Sequence, residues 1–327
     1  MNGRTFLKTL LVSFVLITSL AFGQFDNYWQ QQVDYKIDVQ LNDREHILTA
    51  TEELEYTNNS PDSLSFIWFH IWPEAYKNNK SALAKQLKED GEFKMLYAKP
   101  ADLGYMDQLN FTSENTSLKT ELHPNYQDVI KVILPYKLAP KQKIKISTPF
   151  RVKIPSALIS RLGHIGQAYA ITQWYPKPAV YDQNGWNQIP YLTQGEFYSE
   201  YGSFDVKITL PKNYIVAATG DLQNADEIEF LTARAEKTKK KFTNGIFSGS
   251  MEQAETPKSD TDFKTLHFVQ SKVHDFAWFA DKRYEVLKGE VELPHSKRKV
   301  TSWVMFTQKN AMVWKEAIQY VNDGTYY

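Results

Sequence analysis

The feature that most constrains the fold is a strict alternation of apolar and polar residues early in the chain. Every second residue from Val33 to Leu41 is apolar, and after Asn42-Asp43 a second alternation runs from Leu48 to Tyr56. Because successive side chains of a strand point to opposite faces, this pattern predicts two β-strands, each with one buried face. The turn-forming pair between them predicts that they form a long antiparallel hairpin.

Further apolar runs, separated by turn-forming residues, extend the same pattern along the chain. They predict strands over residues 64–71, 129–134, 143–147, 204–210, 214–219 and 266–270. Many short strands at this spacing are typical of sandwich-like β structure. The stretch from Lys80 to Lys88 is rich in Ala, Leu and Lys and predicts a short helix between strands. We therefore expect a mainly β fold.

The pattern changes near the end of the chain. A strand is predicted from Val300 to Phe306, followed by a helix from about Thr307 to Val321, with Thr307 as its N-cap and Gly324 at its C-terminal cap. Strands followed by a strand-to-helix transition indicate the start of a second domain. Two interpretations stay open: these residues dock on the β domain, or they are the opening of a longer protein that continues after Tyr327.

The first residues have the features of a secretory signal peptide. Arg4 and Lys8 precede an apolar run from Leu10 to Phe22, and Ala21-Phe22-Gly23 predicts cleavage before Gln24. A lipoprotein anchor is excluded because the chain has no cysteine. After cleavage we expect no membrane span and an exported protein, periplasmic or extracellular.

Charge and motif content exclude several kinds of chemistry. Lys+Arg and Asp+Glu both number 38, which argues against a nucleic-acid partner. The chain has no cysteine for thiolate chemistry, and no two of its seven histidines stand four residues apart as in the helical zinc motif. We expect His70 to be a strand histidine with satisfied hydrogen bonds. The lysine-rich run from Lys237 to Lys241 is expected to be a solvated loop or edge strand without function.

The densest group of aromatic and polar residues runs from Ile171 to Tyr201. Tryptophans and tyrosines alternate there with Gln, Asp and Glu on a backbone interrupted by Pro and Gly. This composition is typical of a surface that holds a ligand by stacking and a few polar groups. It is equally typical of a packed loop whose rings cover a β core.

Several separated blocks of the sequence stand together in an order found in one family. They are Tyr28-Trp29, Tyr56–Leu64 with Ile67–His70, Trp174-Tyr175-Pro176, Gly195–Val206, Ala217–Gly220 and Val273–Trp278. Together they resemble the N-terminal region of peptidase family M1, the aminopeptidase N-like zinc metallopeptidases. The resemblance is closest to the exported bacterial branch and covers almost the whole mature chain.

The resemblance implies an architecture and an activity. After the signal peptide at 1–23, it implies a saddle-like antiparallel β-sandwich domain at 24–286, and at 287–327 the first strand and helix of a truncated, thermolysin-like catalytic domain. The family's zinc ligands would follow this chain, which alone would bind no cofactor and be inactive. In the full-length protein this part would gate peptide substrates for zinc-dependent aminopeptidase hydrolysis.

The resemblance also assigns candidate site residues. In the family a glutamine of the β domain helps to bind the substrate amine, and Thr172-Gln173-Trp174-Tyr175-Pro176 matches its position. Tyr175 departs from the pattern, because the family often has an acidic or amide side chain there. Thr193-Gln194-Gly195-Glu196 offers a second register in which Glu196 supplies a carboxylate. The predicted substrate-binding residues are Gln173, Trp174, Tyr175 and Glu196.

Other interpretations remain beside this one. Gly249–Gln253 nearly matches the family's substrate motif, but it precedes the expected place and is interpreted as coincidence. A non-catalytic, β-rich module of the cell envelope that binds peptide or glycan is the main alternative, and a structural envelope protein is the second. The oligomeric state stays open.

Overall fold

Strands dominate the part of the chain that the structure describes. A computed structural model describes residues 28–195, 197–247, 255–309 and 311–327, so the predicted signal peptide, Glu196 and all of Gly249–Gln253 lie outside the described residues. The strands are, in chain order, β1 (Gln32–Asn42), β2 (Ile47–Thr57), β3 (Leu64–His70), β4 (Tyr105–Asp107), β5 (Thr112–Ser113), β6 (Thr116–Ser117), β7 (Thr120–Leu122), β8 (Val129–Leu138), β9 (Lys143–Lys153), β10 (Gly163–Ile165), β11 (Ala168–Ile171), β12 (Lys177–Pro178), β13 (Val180–Asp182), β14 (Gly185–Asn187), β15 (Gly202–Pro211), β16 (Ile215–Ala218), β17 (Asp221–Leu222), β18 (Phe263–Val273), β19 (Trp278–Asp281), β20 (Glu285–Glu292) and β21 (Lys299–Phe306). The prediction of a mainly β fold is confirmed.

Helices are few in the described residues. They are α1 (Ala82–Glu89), α2 (Ala225–Thr243) and α3 (Ala317–Tyr326), with short 3-10 helices at Trp72–Tyr76, Pro100–Asp102 and Ala311–Trp314. Helix α1 confirms the helix predicted over 80–88, and the Ser81 side chain caps it by accepting a hydrogen bond from the Ala84 backbone N–H. None of the described helices has the length and apolar character needed to cross a bilayer.

The largest sheet of the described residues is built on the predicted hairpin. Its strands run in the order β17-β18-β15-β1-β2-β9-β5-β6, and β4 also pairs with β9. The hairpin register places Val33 opposite Tyr56 and Leu41 opposite Leu48, so the apolar residues of both strands share one face. Strand β1 pairs in parallel with β15, which makes this sheet mixed instead of purely antiparallel.

Two smaller sheets cover the apolar face of the large one. One has the strand order β12-β3-β8-β7, and the other has the order β10-β11-β19-β16. Ile37 and Leu48 of the large sheet belong to the same buried apolar cluster as Phe69, Trp174 and Trp278 from the segments of the smaller sheets. A single core therefore links the three sheets. It includes residues of the aromatic segment from Ile171 to Tyr201.

The interpretation of the lysine-rich run as a loop or edge strand is wrong. Lys237 to Lys241 lie in the last turns of α2. Acidic Asp226 and Glu227 stand in the first turn and lysines in the last turn, an arrangement that complements the helix dipole. Leu231 and Ala235 bury one side of this helix. The run is thus the basic end of an amphipathic helix.

The C-terminal segment differs in detail from the prediction. Strand β21 is present, but the expected helix is divided into the 3-10 turn at Ala311–Trp314 and the later α3, so Gly324 lies inside a helix. The domain boundary predicted after residue 286 falls within β20, which pairs with β21 and contacts α2. Part of the contact with α2 is made by Glu285 of β20, which accepts hydrogen bonds from Thr238 at 2.9 Å and from Lys241 at 2.5 Å.

The substitution Gly202→Ala tests whether the parallel pairing of β1 with β15 is required for stability. A Cβ atom at this position would overlap the carbonyl group of Val33 in the neighbouring strand. We expect Gly202→Ala to lower the free energy of unfolding by about 3 kcal/mol or more, because the strands must separate to make room. Urea unfolding followed by circular dichroism measures this change.

Gly324→Ala is the matched control. Nothing lies within 4 Å of a Cβ atom there, and the residue is helical, so stability should rise by at most about 1 kcal/mol. Equal effects of the two substitutions would contradict the proposed requirement for a bare backbone at Gly202.

Candidate functional site

The predicted site begins where β11 ends. Gln173 follows this strand with a backbone φ of 48°, in the left-handed region that a residue with a side chain rarely occupies. Strand β11 pairs with β19, and the segment leading into β19 carries Asp275. The strand pairing therefore brings two loops together that are about a hundred residues apart in the sequence.

Asp275 accepts hydrogen bonds from three side chains of the predicted segment. The Gln173 Nε2 donates to its Oδ2 at 2.7 Å, while the Tyr175 hydroxyl and the Lys177 Nζ donate to its Oδ1 at 2.8 Å and 3.0 Å. The backbone N–H of Phe276 donates to the same oxygen at 2.9 Å. One carboxylate thus fixes the Gln173, Tyr175 and Lys177 side chains.

The Lys177 end of the ion pair with Asp275 is shielded from solvent, whereas the Asp275 side chain is 20% exposed. The Lys177 side chain is 2% exposed, and its Nζ also donates to the Ser199 Oγ at 3.3 Å. The ammonium lies 5.1 Å from the centre of the Trp72 ring and 5.3 Å from that of Tyr175, within the range of cation–π attraction. Several independent contacts therefore offset the cost of burying this charge.

The charges of this group determine the protonation states of its members. Burial alone would raise the pKa of Asp275, but the Lys177 charge and the hydrogen bonds from Tyr175, Lys177 and Phe276 hold it below the usual range. Burial, followed by the charge of Asp275, raises the pKa of the Tyr175 phenol well above its ordinary value. Asp275 is therefore ionised, and Tyr175 stays protonated and donates.

A second carboxyl group, Glu52, lies in the interior near Lys177. Its residue is 2% exposed, and neither carboxyl oxygen has a hydrogen-bond partner among the described residues. Burial raises the pKa of Glu52 well above its ordinary value, and the charge of Lys177 lowers it only in part. Because Asp275 is already paired to Lys177, the three residues Glu52, Lys177 and Asp275 together have no net charge when Glu52 is protonated.

The four predicted site residues have different positions. Gln173 and Tyr175 meet at Asp275, whereas the Trp174 ring is fully buried and donates from Nε1 to the Phe276 carbonyl oxygen at 3.0 Å. Tyr175 is 2% exposed. Both rings pack within the chain itself, and Tyr175 shares the Asp275 carboxylate with Gln173. Direct substrate contact by any of these residues stays a prediction. Glu196 lies outside the described residues.

Sequence reasoning missed Asp275, Lys177 and Glu52. The available signal was local: Lys177 is a lone charge between two prolines in an aromatic run, and Asp275 directly precedes the apolar residues Phe276-Ala277-Trp278. A charged residue inside an otherwise buried segment needs a partner, but the sequence does not show which one.

His70 is a strand histidine, as predicted, but the expectation that its hydrogen bonds are satisfied is wrong, because the buried Nδ1 has no partner among the described residues. It lies in β3, its Nε2 accepts a hydrogen bond from the Ile189 backbone N–H at 3.2 Å, and its ring stacks on Trp72 with centroids 4.6 Å apart. Burial, aided by the Lys177 charge, lowers the pKa of His70 to about 3. The imidazole is therefore neutral. No group of three or more His, Asp or Glu residues in the described ranges is placed to hold a metal ion.

Comparison with known proteins gives similarity in structure only. The sequence matches no protein-family model and no curated protein. A mutant form of the M1 zinc metallopeptidase from Deinococcus radiodurans aligns with 85% of this chain at 12% identity and a TM-score of 0.48, and the chain covers 48% of that structure. The enzyme without that mutation aligns at 13% identity and a TM-score of 0.46. A mutant form bound to a Tyr-Ser-Ala substrate also aligns at 13% identity and a TM-score of 0.46. The chain spans about half the length of these solved structures.

The substitution Lys177→Met tests the buried ion pair. It keeps the length of the side chain but leaves the Asp275 carboxylate without its charged partner. We expect the free energy of unfolding at about pH 7 to fall by about 3–5 kcal/mol, the usual cost of breaking a buried pair. Lys145→Met, which removes an exposed lysine 3.8 Å from Glu53, should change it by less than about 1 kcal/mol. Urea unfolding of both variants checks this, and equal losses would contradict a dominant role for Lys177.

The substitution Glu52→Gln tests the buried carboxyl group. Because the folded-state pKa of Glu52 is raised, the stability that its proton contributes is complete below the unfolded pKa of about 4.3 and declines as the pH rises above it. A neutral glutamine of the same shape removes this decline. We expect the stability difference between variant and wild type to grow in favour of the variant from about pH 4 to about pH 8. A difference that is constant across urea titrations at these pH values would show that Glu52 titrates normally.

Proposed function

We propose that this chain is the N-terminal, substrate-gating part of an exported zinc metallopeptidase of aminopeptidase type, in which Gln173 binds the amino group of a peptide substrate. The observation that carries the proposal is the fixed conformation of Gln173, held by Asp275 on a left-handed backbone. The sequence blocks that resemble peptidase family M1 supply the reaction class.

The geometry of Gln173 suits an amine. An ionised carboxylate only accepts hydrogen bonds, so the amide nitrogen must be the atom that faces Asp275, and the amide oxygen is the acceptor that remains. Among the described residues, nothing donates to that oxygen. Because this acceptor is already fixed in direction, binding an N–H donor does not cost the conformational entropy of ordering the Gln173 side chain.

The backbone of Gln173 supports a binding role as well. A left-handed conformation costs a residue other than glycine about 1–2 kcal/mol, and such residues cluster at functional sites. At 9% exposure the residue lies at the edge of the core, with the buried rings of Trp174 and Tyr175 behind it. A substrate amine would therefore meet the amide and not the rings.

The zinc chemistry of this proposal belongs to another part of the protein. The described residues do not fit a zinc ion, since they offer no group of three ligands, and no catalytic step is derived from them. We place the signal peptide at 1–23, a saddle-like β domain at 24–286 and the opening of a thermolysin-like domain at 287–327. The zinc ligands would follow in the full-length protein.

The coding sequence after Tyr327 is the first test. The proposal requires, within about one domain length of 100–200 residues, a helix with two histidines four residues apart and a later glutamate. A continuation without these residues would contradict the peptidase proposal and favour a β-rich module that binds peptide or glycan without catalysis.

The substitution Gln173→Asn in the full-length protein tests the amine site itself. It keeps the amide and tolerates the left-handed backbone, but withdraws the oxygen by one methylene. We expect KM for amino-acid p-nitroanilides with a free amine to rise about tenfold, the value of roughly one hydrogen bond, with little change in stability. The measurement is initial-rate kinetics over a range of substrate concentrations.

Gln108→Asn is the matched control, because Gln108 is also a glutamine in the left-handed region, with φ of 61°. This variant should keep the wild-type KM. A rise in KM for both variants, or for neither, would contradict the proposal that Gln173 binds the substrate amine.

A further inference from the structure

Two histidine rings stack on each other between the β1–β2 turn and the β10–β11 hairpin. The imidazoles of His46 and His164 have their centres 3.6 Å apart, and their planes meet at 13°. His46 lies in the turn on a left-handed backbone, with φ of 55°, and His164 lies in β10. We name this contact the His46–His164 pair. It contains no residue of the Gln173 site.

Hydrogen bonds define the tautomers of the pair. The His164 Nδ1 lies 3.0 Å from the Gly166 carbonyl oxygen, which can only accept, so this nitrogen carries a proton. The Tyr169 hydroxyl donates to the Asp43 carbonyl oxygen at 3.2 Å. The His46 Nδ1 is 2.8 Å from that hydroxyl and is therefore a donor as well. The position left for an added proton on each ring is Nε2, and that proton makes the ring a cation.

The surroundings of His46 disfavour a charge on its ring. Burial is the main cause that lowers the pKa of His46 to about 4, and the charges of His164 and Lys153 lower it further. The charge of Asp43 opposes them only in part. The Lys153 ammonium is held in place by a 2.6 Å hydrogen bond to the Glu45 carbonyl oxygen. His46 is therefore neutral at pH 7.

His164 has a similar environment. Burial is the main cause that lowers the pKa of its ring, and the charge of Lys153 adds to the effect, while the hydrogen bond to Gly166 and the charge of Asp102 oppose it. Burial raises the pKa of the neighbouring Tyr169 phenol, which stays protonated. Among the described residues, no carboxylate accepts a hydrogen bond from either ring of the pair. A positive charge on one ring would therefore face the other ring and a lysine.

The pair lies at a junction between two sheets. The β1–β2 hairpin belongs to the largest sheet and the β10–β11 hairpin to a smaller one, so side chains hold the turn against the hairpin. The Gln167 Nε2 donates to the Asp43 carbonyl oxygen at 3.2 Å and to its carboxylate at 3.1 Å, beside the Tyr169 hydrogen bond to the same carbonyl. A charge on either ring acts directly on this small set of contacts.

We propose that the His46–His164 pair is an acid-sensitive contact, which holds the β10–β11 hairpin against the β1–β2 turn at neutral pH and releases it in acid. In the closed state the neutral rings stack. In the open state both rings are solvated and bind protons at Nε2, so proton uptake favours opening. This proposal does not rest on the function proposed above.

Hydrogen exchange of the whole chain, followed by mass spectrometry, tests the proposal. The His164 N–H donates to the Pro155 carbonyl oxygen and the Ala157 N–H donates to the His164 carbonyl oxygen, so peptides covering residues 155–171 report on the hairpin. Closing is favoured fully above the solvated pKa of about 6.5 and less as the pH falls towards the lowered values. We expect exchange in these peptides, corrected for the intrinsic rate at each pH, to increase at least about fivefold from pH 7 to pH 5.

Variants separate the pair from other acid-sensitive groups. The double variant His46→Phe/His164→Phe keeps two rings but removes their titration, and it should lose the pH dependence of exchange in these peptides. His295→Phe changes an exposed histidine between β20 and β21 and should keep the wild-type dependence. Equal exchange at pH 5 and pH 7 in the wild type, or an unchanged pH dependence in the double variant, would overturn the proposal.

A second measurement needs no variant. Nuclear magnetic resonance titration of the wild-type chain follows the ring protons of each histidine, and the contact between the two stacked rings assigns their signals. We expect His46 to titrate near pH 4 and His164 below its ordinary value. Midpoints near the ordinary value of about 6.5 for both rings would contradict the proposal, whether or not the double variant folds.

Discussion

The hydrogen bonds and ion pair of Asp275 are the interactions on which the rest of the described site depends. One carboxylate orients the amide of Gln173, the hydroxyl of Tyr175 and the ammonium of Lys177, which come from a segment distant in sequence. Removing the charge of Lys177 would leave that partly buried carboxylate without its charged partner. The aromatic rings around it exclude water, and their packing is what makes the electrostatic contacts strong.

Burial gives the three interior carboxyl groups different states. Asp275 keeps its charge because several donors surround it, whereas Glu52 and Glu200 have unpartnered oxygens among the described residues and raised pKa values. Glu52 is buried beside the Lys177–Asp275 ion pair, whose charges already cancel. It therefore stabilises the folded state most when it is protonated and neutral. Burial also raises the pKa of Glu200, and hydrogen bonds from the backbone N–H groups of Tyr181 and Gln31 lower it only in part. Direct contact with an ammonium thus separates the ionised carboxyl of Asp275 from the two carboxyls whose pKa values burial raises.

The strands could be predicted from sequence because their signal is local. Alternation over a few residues is enough to place β1 and β2, since it reflects one buried face. Helix α2 was not predicted from sequence. Its lysine-rich run does not indicate a helix by itself, and the helical signal is the apolar stripe that includes Leu231. The polar site could be predicted only in part. Gln173 followed from the resemblance, but Glu52, Lys177 and Asp275 meet through pairings between distant strands that no local pattern encodes.

The parallel pairing of β1 with β15 also sets the order in which the chain can fold. Roughly 150 residues separate the end of β2 from β15, so β1 has its second neighbour only when most of the β region has been made. At usual rates of synthesis this takes about 7–30 s. During that interval the open edge of β1 can pair with the edge strands of other chains.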